Sequence, residues 1–326
     1  MTRSTRYFLA GSAFVAVLGL GTGLIAFYNG NLPLGLTKGA DSDLGYLPAE
    51  SVAVAYADVR AIMNSEFRQK LRQVLPTGEE LGKFKEELGV DIEQDIDTVA
   101  AAYLGGAAMP QSGVVVVRGR FNDVSIEALA VKHGAVAETY KDKRLLTMTA
   151  PAPVEGSTEV TQHPAATVAF LDPGVLALGE LAAVKKAIDA GASGAELRKN
   201  TELIGLIDEM RGSGNAWAVG RLDAMSNQAG LPSEITSHMP AVKFVAASVY
   251  VNGGVRGQLR AEAFDDKAAD QLRDVVRGAL AAGRLMSGQN PKMDAMLNSL
   301  QITGTGKAVG LSFTCLLYTS PSPRDS

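Results

Sequence analysis

The residues best placed to do chemistry are four carboxylates at alternate positions, Asp91, Glu93, Asp95 and Asp97, in the stretch VDIEQDID. On an extended segment all four share one side, and four hard oxygen ligands so spaced resemble the opening of a calcium loop. The rest of that loop is missing: Ile96 stands where the sharp turn needs glycine, and Ala102 where the closing glutamate belongs. The stretch therefore reads as a solvated loop with Asp95 or Asp97 as a helix cap. Gly304-Thr305-Gly306-Lys307 resembles part of a phosphate-binding loop. Gln301 and Ala308 occupy the positions where the full pattern needs a glycine and a hydroxyl residue, so it reads as a hairpin turn. His133 follows Lys132 at the end of a helical pattern, while His163 and His238 lie in polar loops beside Pro164 and Pro240. All three read as surface residues. There is no G-x-S-x-G elbow, no H-E-x-x-H helix and no S-x-x-K in the body of the chain. No catalytic, cofactor-binding or metal-binding residue is assigned, and no cofactor is expected.

Composition points the same way. Of 326 residues, 46% are hydrophobic, which is ample for a buried core. Thirty-one Lys plus Arg against 35 Asp plus Glu leave no basic excess to neutralise a phosphate backbone, and 6% aromatic residues supply few stacking platforms, so nucleic acid is not a partner. Three histidines and one cysteine, Cys315, are too few for a zinc or iron–sulfur site of the usual patterns.

The elements that would position any site are legible in outline. Ser51 to Asp58 (SVAVAYAD) has strand character, and Ile62 to Leu75 carries apolar residues at helical spacing. A second helix is expected from Glu79 to Leu88. Val99 to Leu104 and Val114 to Phe121 read as strands, followed by a helix capped by Asn122 or Asp123 and ending near His133. Lys143 to Met148 is another strand. Thr167 to Leu171 and Val175 to Leu178 flank the turn Asp172-Pro173-Gly174, and helices follow at Glu180 to Ala190 and Thr201 to Met210. Further on come a short helix from Met293 and a hairpin of 300–303 with 307–313. Strands and helices mix without strict alternation, which makes the class α+β with largely antiparallel sheets.

An internal repeat runs through these elements. VAVAYAD at 52–58 is matched in type by WAVGRLD at 217–223, and VAAAY at 99–103 by VAASV at 245–249. GVVVVRGRFND at 113–123 is matched by GQLRAEAFDD at 257–266, and Phe121 precedes Leu129 by the same eight residues that separate Phe264 from Leu272. The order strand, helical segment, hairpin, helix is written twice, giving a first copy over 46–212 and a second over 213–314. Asp58 and Asp223 fall at matching places. If both pointed into one cleft between the copies, a hydrolase or metal-dependent enzyme would be the alternative to a non-catalytic protein.

Ahead of the body, residues 7–28 run without a charge, and as a helix they span roughly 33 Å, enough to cross a bilayer. Aromatic rings at Tyr7, Phe8, Phe27 and Tyr28 mark both ends, and Arg3 and Arg6 favour a cytoplasmic N-terminus for residues 1–6. A cleaved signal peptide is the competing reading. The apolar run continues through Leu24, Ile25 and Phe27 with no A-x-A, which favours an uncleaved signal-anchor. Residues 29–45 read as a linker, and the body is expected outside the cytoplasm, in the periplasm or beyond the cell. At the other end, Cys315 to Asp325 (CLLYTSPSPRD) is similar to the translation of a transposase adapter used in sequencing libraries. Residues 315–326 are therefore expected to be a non-native tail, and the natural chain to continue past Thr314 with at least one more element.

The segments YLPAESVAVAYADVRAIMNSEFRQKLRQ, DIEQDIDTVAAAY, GNAWAVGRLDA and GGVRGQLRAEA together resemble a family of bacterial membrane-anchored exported proteins of acidobacterial type and unknown function. The resemblance implies location and fold, and carries no catalytic residues with it. The sequence thus leads to a single-pass membrane protein with a duplicated α+β body, acting as a non-catalytic binding or envelope-associated factor.

Overall fold

The structure, a computed structural model, describes residues 40–69, 90–104, 112–148, 166–194, 196–222, 241–287 and 297–316. These form two compact units, one from 40–60 and 90–205, the other from 61–69 and 206–316. The class is α+β, and within each unit the neighbouring strands run antiparallel.

The first unit opens with a short helix, α1 (Ala40–Leu44), then β1 (Ser51–Asp58) and α2 (Val59–Met63). A one-turn helix, α3 (Ile92–Asp95), leads into the hairpin of β2 (Ile96–Leu104) and β3 (Ser112–Gly119). Helix α4 (Asp123–Lys132) follows, then β4 (Val136–Tyr140), β5 (Lys143–Met148), β6 (Ala166–Asp172), β7 (Val175–Gly179) and α5 (Leu181–Ser193). The strands lie side by side in the order β1-β2-β3-β7-β6-β5-β4. One row of directly opposed residues crosses the unit as Tyr56, Ala100, Val116, Ala177, Ala169 and Leu145. Every one of them is at most 2% exposed, which makes this face the core. Helix α5 buries Ala183, Val184, Ala187 and Ile188 and packs on β3, β6 and β7. The row on the opposite face, Ala55, Ala101, Val115, Leu178 and Val168, is half-buried.

Helix α6 (Thr201–Met210) passes from the first unit to the second, which contains β8 (Ala216–Arg221), β9 (Val242–Val251), β10 (Gly254–Ala263), α7 (Asp266–Ser287), β11 (Gln301–Thr303) and β12 (Ala308–Leu316). Here the order is β8-β9-β10-β12-β11. Ala268, Ala269 and Leu272 on the first turns of α7 pack against Ala263 and Val309.

Several sequence expectations change. The helix expected over 62–75 is interrupted after Met63, because the Ser65 hydroxyl donates to the Ile62 carbonyl and accepts from the Arg68 amide, so that Ser65 caps helical residues 66–69; residues 70–75 lie outside the described residues. Strand β4 was not foreseen, since its exposed sequence VAETY shows no apolar alternation. The last residues of the segment read as linker are helical, and Asp43 and Leu44 within them are buried. The expected helix at 79–88 and the membrane segment 7–28 lie outside the described residues. Among the described residues, no helix is long and apolar enough to cross a membrane.

Candidate functional site

Titratable side chains gather at one place in the first unit, where α1 meets the core face of β2 and β3. Asp43 is 1% exposed and accepts from the buried Thr98 hydroxyl and, at 2.6 Å, from Arg118 Nε. Arg118 reaches on to the Ser42 hydroxyl at 3.2 Å. Thr98 and Arg118 are directly opposed on β2 and β3, so a single carboxylate ties both strands to α1. Just beyond, Tyr46 donates its hydroxyl to Asp172, whose other oxygen accepts from Lys143 Nζ at 3.2 Å. The Tyr46 ring lies against Gly191 of α5, where a Cβ would collide with it. Asn200 completes the arrangement: its amide donates to the Ala49 and Ser51 carbonyls, while its oxygen caps α6 through the Leu203 amide.

The electrostatics show what this cluster can do. Burial, then the hydrogen bond to Asp172, pushes the Tyr46 hydroxyl up to about 12. Burial, then the charge of Asp58, also raises Tyr56 on the same face. The Tyr46 hydrogen bond foremost, and Lys143 after it, hold Asp172 below its ordinary value. Each shift moves a group away from neutrality, so none of these three is poised to exchange a proton near pH 7. The cluster is a polar clamp that fixes the entry of the chain onto the sheet.

The carboxylates of 91–97 are likewise occupied. Asp91, rather than Asp95 or Asp97, is the cap: its side chain accepts from the Glu93 amide in α3, while Asp95 accepts in return from the Asp91 amide at 2.8 Å. Asp97 pairs with Arg60. The helical turn breaks the extended spacing that would have set all four on one side. Among the described residues, no group of three or more His, Cys, Asp or Glu could hold a metal ion. Gly304 and Gly306 adopt positive φ in the turn between β11 and β12, as a hairpin requires. His133 is the exposed C-terminal cap of α4, and Trp217 is buried on β8. Asp58 ends β1, immediately before α2; Asp223, His163 and His238 lie outside the described residues.

What sequence reasoning missed is an open apolar face on the second unit. Ala218, Ala247, Leu259, Leu311 and Ile302 are directly opposed across five strands. Leu259 is 48% exposed, Ala218 is exposed, and the others are half-buried. At strand spacing the row runs for about 20 Å. Phe313 lies over Gly257 at one side of it, where a Cβ would collide with the ring, and exposed Phe264 and Val275 stand on and before α7. Single exposed apolar residues are commonplace, whereas these five are joined by ladder pairing into one row. Only the ladder register could have revealed it.

No protein-family model and no curated protein sequence matches the chain, and no family is assigned. Among solved structures it is similar to the Treponema protein TP0453, in its crystal form I, with a TM-score of 0.45 and 10% identity over 87% of this chain and 94% of that one. The likeness brings no residue roles.

Proposed function

We propose that this protein is a membrane-anchored, extracytoplasmic binding factor without catalysis of its own, and that its second unit presents an apolar sheet face to a partner with an apolar surface. The open row Ala218–Ala247–Leu259–Leu311–Ile302 carries the reading. Residues 7–28 cross the membrane with residues 1–6 in the cytoplasm, and the clamp at Asp43 and Tyr46 fixes the start of the body close behind a short linker. On this reading the body lies in the periplasm or outside the cell.

The body is a duplication, and the ladders support this in detail. With Val99 matched to Val245, Ala101 and Ala247 pair with Val115 and Leu259, and these with Leu178 and Leu311, which pair with Val168 and Ile302. In both units a three-strand meander is followed by a helix that starts two residues after a phenylalanine. Asn122 caps one through the Ser125 amide at 3.1 Å and Asp265 caps the other through the Ala268 amide at 2.7 Å. The ladder sets Trp217 against Val54 rather than Val52, two residues from the alignment by sequence type, and a shift of two keeps every side chain on its own face.

Titration with the apolar dye 1-anilinonaphthalene-8-sulfonate tests the binding face. The folded protein is expected to take up the dye saturably, and a Leu259→Ser/Leu311→Ser variant that still melts cooperatively to lose most of that signal. Undiminished dye binding would sink the proposal. Carbonate extraction of cells tests the anchor: the full chain should stay with the membrane pellet, and a chain lacking 1–28 should not.

A further inference from the structure

The strand order of the first unit ends at β4 (Val136–Tyr140), which among the described residues pairs with β5 alone and without a bulge. Val136 is 62% exposed, and Ala137, Glu138 and Thr139 are exposed beside it. A strand with one bare edge is a template for another strand, and sheets blunt such edges with proline, lysine, a bulge or extreme shortness. Strand β4 uses none of these devices: VAETY holds neither proline nor lysine. The last strand in the order of the second unit, β11, is by contrast only three residues long.

The lysines nearest the edge are tied down. Lys141, in the turn after β4, pairs with Asp189 of α5 at 2.6 Å, and Lys185 of the same helix pairs with Glu138 at 3.1 Å. The Tyr140 hydroxyl donates to Asp189, and its ring has the ammonium of Lys141 at 5.6 Å and that of Lys185 at 5.2 Å from its centre. These contacts hold β4 in one register against α5 and leave its outer backbone edge uncovered.

We propose that β4 is a self-association edge, at which two copies of this chain join their first units through an antiparallel pair of β4 strands about a twofold axis at Glu138. A twofold axis makes paired strands antiparallel, as all neighbours in the unit already are. With Glu138 opposite Glu138 all five residues pair, and Val136 of each copy meets Tyr140 of the other, an aromatic against a β-branched side chain. Ala137 meets Thr139. Each Glu138 then stands between its own Lys185 and that of the other copy, so the two acids and two lysines alternate with no net charge. An unrelated extended segment gains no ion pair at this edge, because Glu138 and both lysines are already matched; a second copy brings the same pair in inverted order. The contact is about 17 Å long, which suits a reversible dimer rather than a permanent one.

Sedimentation of the full chain in detergent, at concentrations from about 1 to 100 μM, is the first test. A dimer is expected to form across that range, and Val136→Lys, which alters an exposed side chain, to melt as the wild type does while weakening association at least about tenfold. Cross-linking is the second, in a Cys315→Ser background under mild oxidation. Glu138→Cys should give a disulfide-linked dimer, because the axis sets that position against itself. Val136→Cys should not, because four residues of stagger separate the two thiols by about 14 Å, beyond the reach of a disulfide. A monomer throughout the range, a dimer indifferent to Val136→Lys, growth into longer polymers, or cross-linking through position 136 instead of 138 would each overturn the proposal.

Discussion

The two units share one strand plan, yet they dress its faces differently. In the first, the row from Tyr56 to Leu145 is sealed under helices, whereas the matching row in the second begins with buried Val219 and Ala246 and then opens onto Arg260, Gly310 and Thr303. Backbone ladders specify which residues stand opposite one another, while side chains specify what may cover them. One strand plan can therefore keep its register in both units while one face becomes a sealed core in the first and stays partly exposed in the second. The clamp lies in the first unit, where Asp43 ties α1 to β2 and β3.

The sharpest way to break this comparison is to exchange matching residues. Val116→Arg, which copies Arg260 into the sealed row, would bury a charge without a partner, and equilibrium denaturation should show a loss of about 4 kcal/mol or more. A loss near that of a surface substitution would mean that the row is not sealed. Asp43→Ala removes the acceptor of Thr98 and Arg118 at once. A cost of about 2–3 kcal/mol is expected, because Arg118 retains some access to water and can be solvated.

The pH dependence of the clamp follows from its shifts. Tyr46 is held protonated from its ordinary value of 10.0 up to about 12, so the folded state binds more protons than the unfolded state across that interval. Stability from Tyr46 is complete below pH 10 and falls as the pH climbs toward 12. Tyr46→Phe should flatten that alkaline decline in thermal melts, with Tyr56 supplying what remains. Asp172 runs the other way, losing its contribution as acid protonates it below the ordinary carboxylate range.

Turns offer a gentler contrast. The second unit places Gly304 and Gly306 at positive φ, whereas the β4–β5 turn of the first holds Lys141 at 47° and Asp142 at 63°. Asp142→Gly should relieve that conformation and raise stability by about 0.5–1 kcal/mol, and an unchanged melting midpoint would show the aspartate to be unstrained. The reverse exchange on the open row, Arg260→Val, should cost the least of all. It gives up an exposed pair with Glu209, and a change of less than about 0.5 kcal/mol is expected in the same denaturation assay.

Much of the fold could be read from residue patterns. The strand SVAVAYAD, the helix caps Asn122 and Asn200, and the turn glycines at 174, 304 and 306 declare themselves through local rules of alternation, capping and positive φ. Strand β4 does not, because an edge strand with both faces wet needs no apolar code. The break at Ser65 was hidden by an apolar spacing that continued across it. The clamp was illegible for another reason: Asp43, Thr98, Arg118 and Asp172 are scattered over more than a hundred positions, and nothing local distinguishes a buried aspartate in ADSDL from a solvated one.

By itself the sequence determined the α+β class and the apolar segment ahead of the body, because each depends on the order and period of residues along the chain. Which face of each unit is sealed, which carboxylate is buried, and where five aliphatic side chains line up across separate strands were decided only by the tertiary structure. Those properties belong to register and cover, and both arise from pairings between residues that the chain keeps far apart.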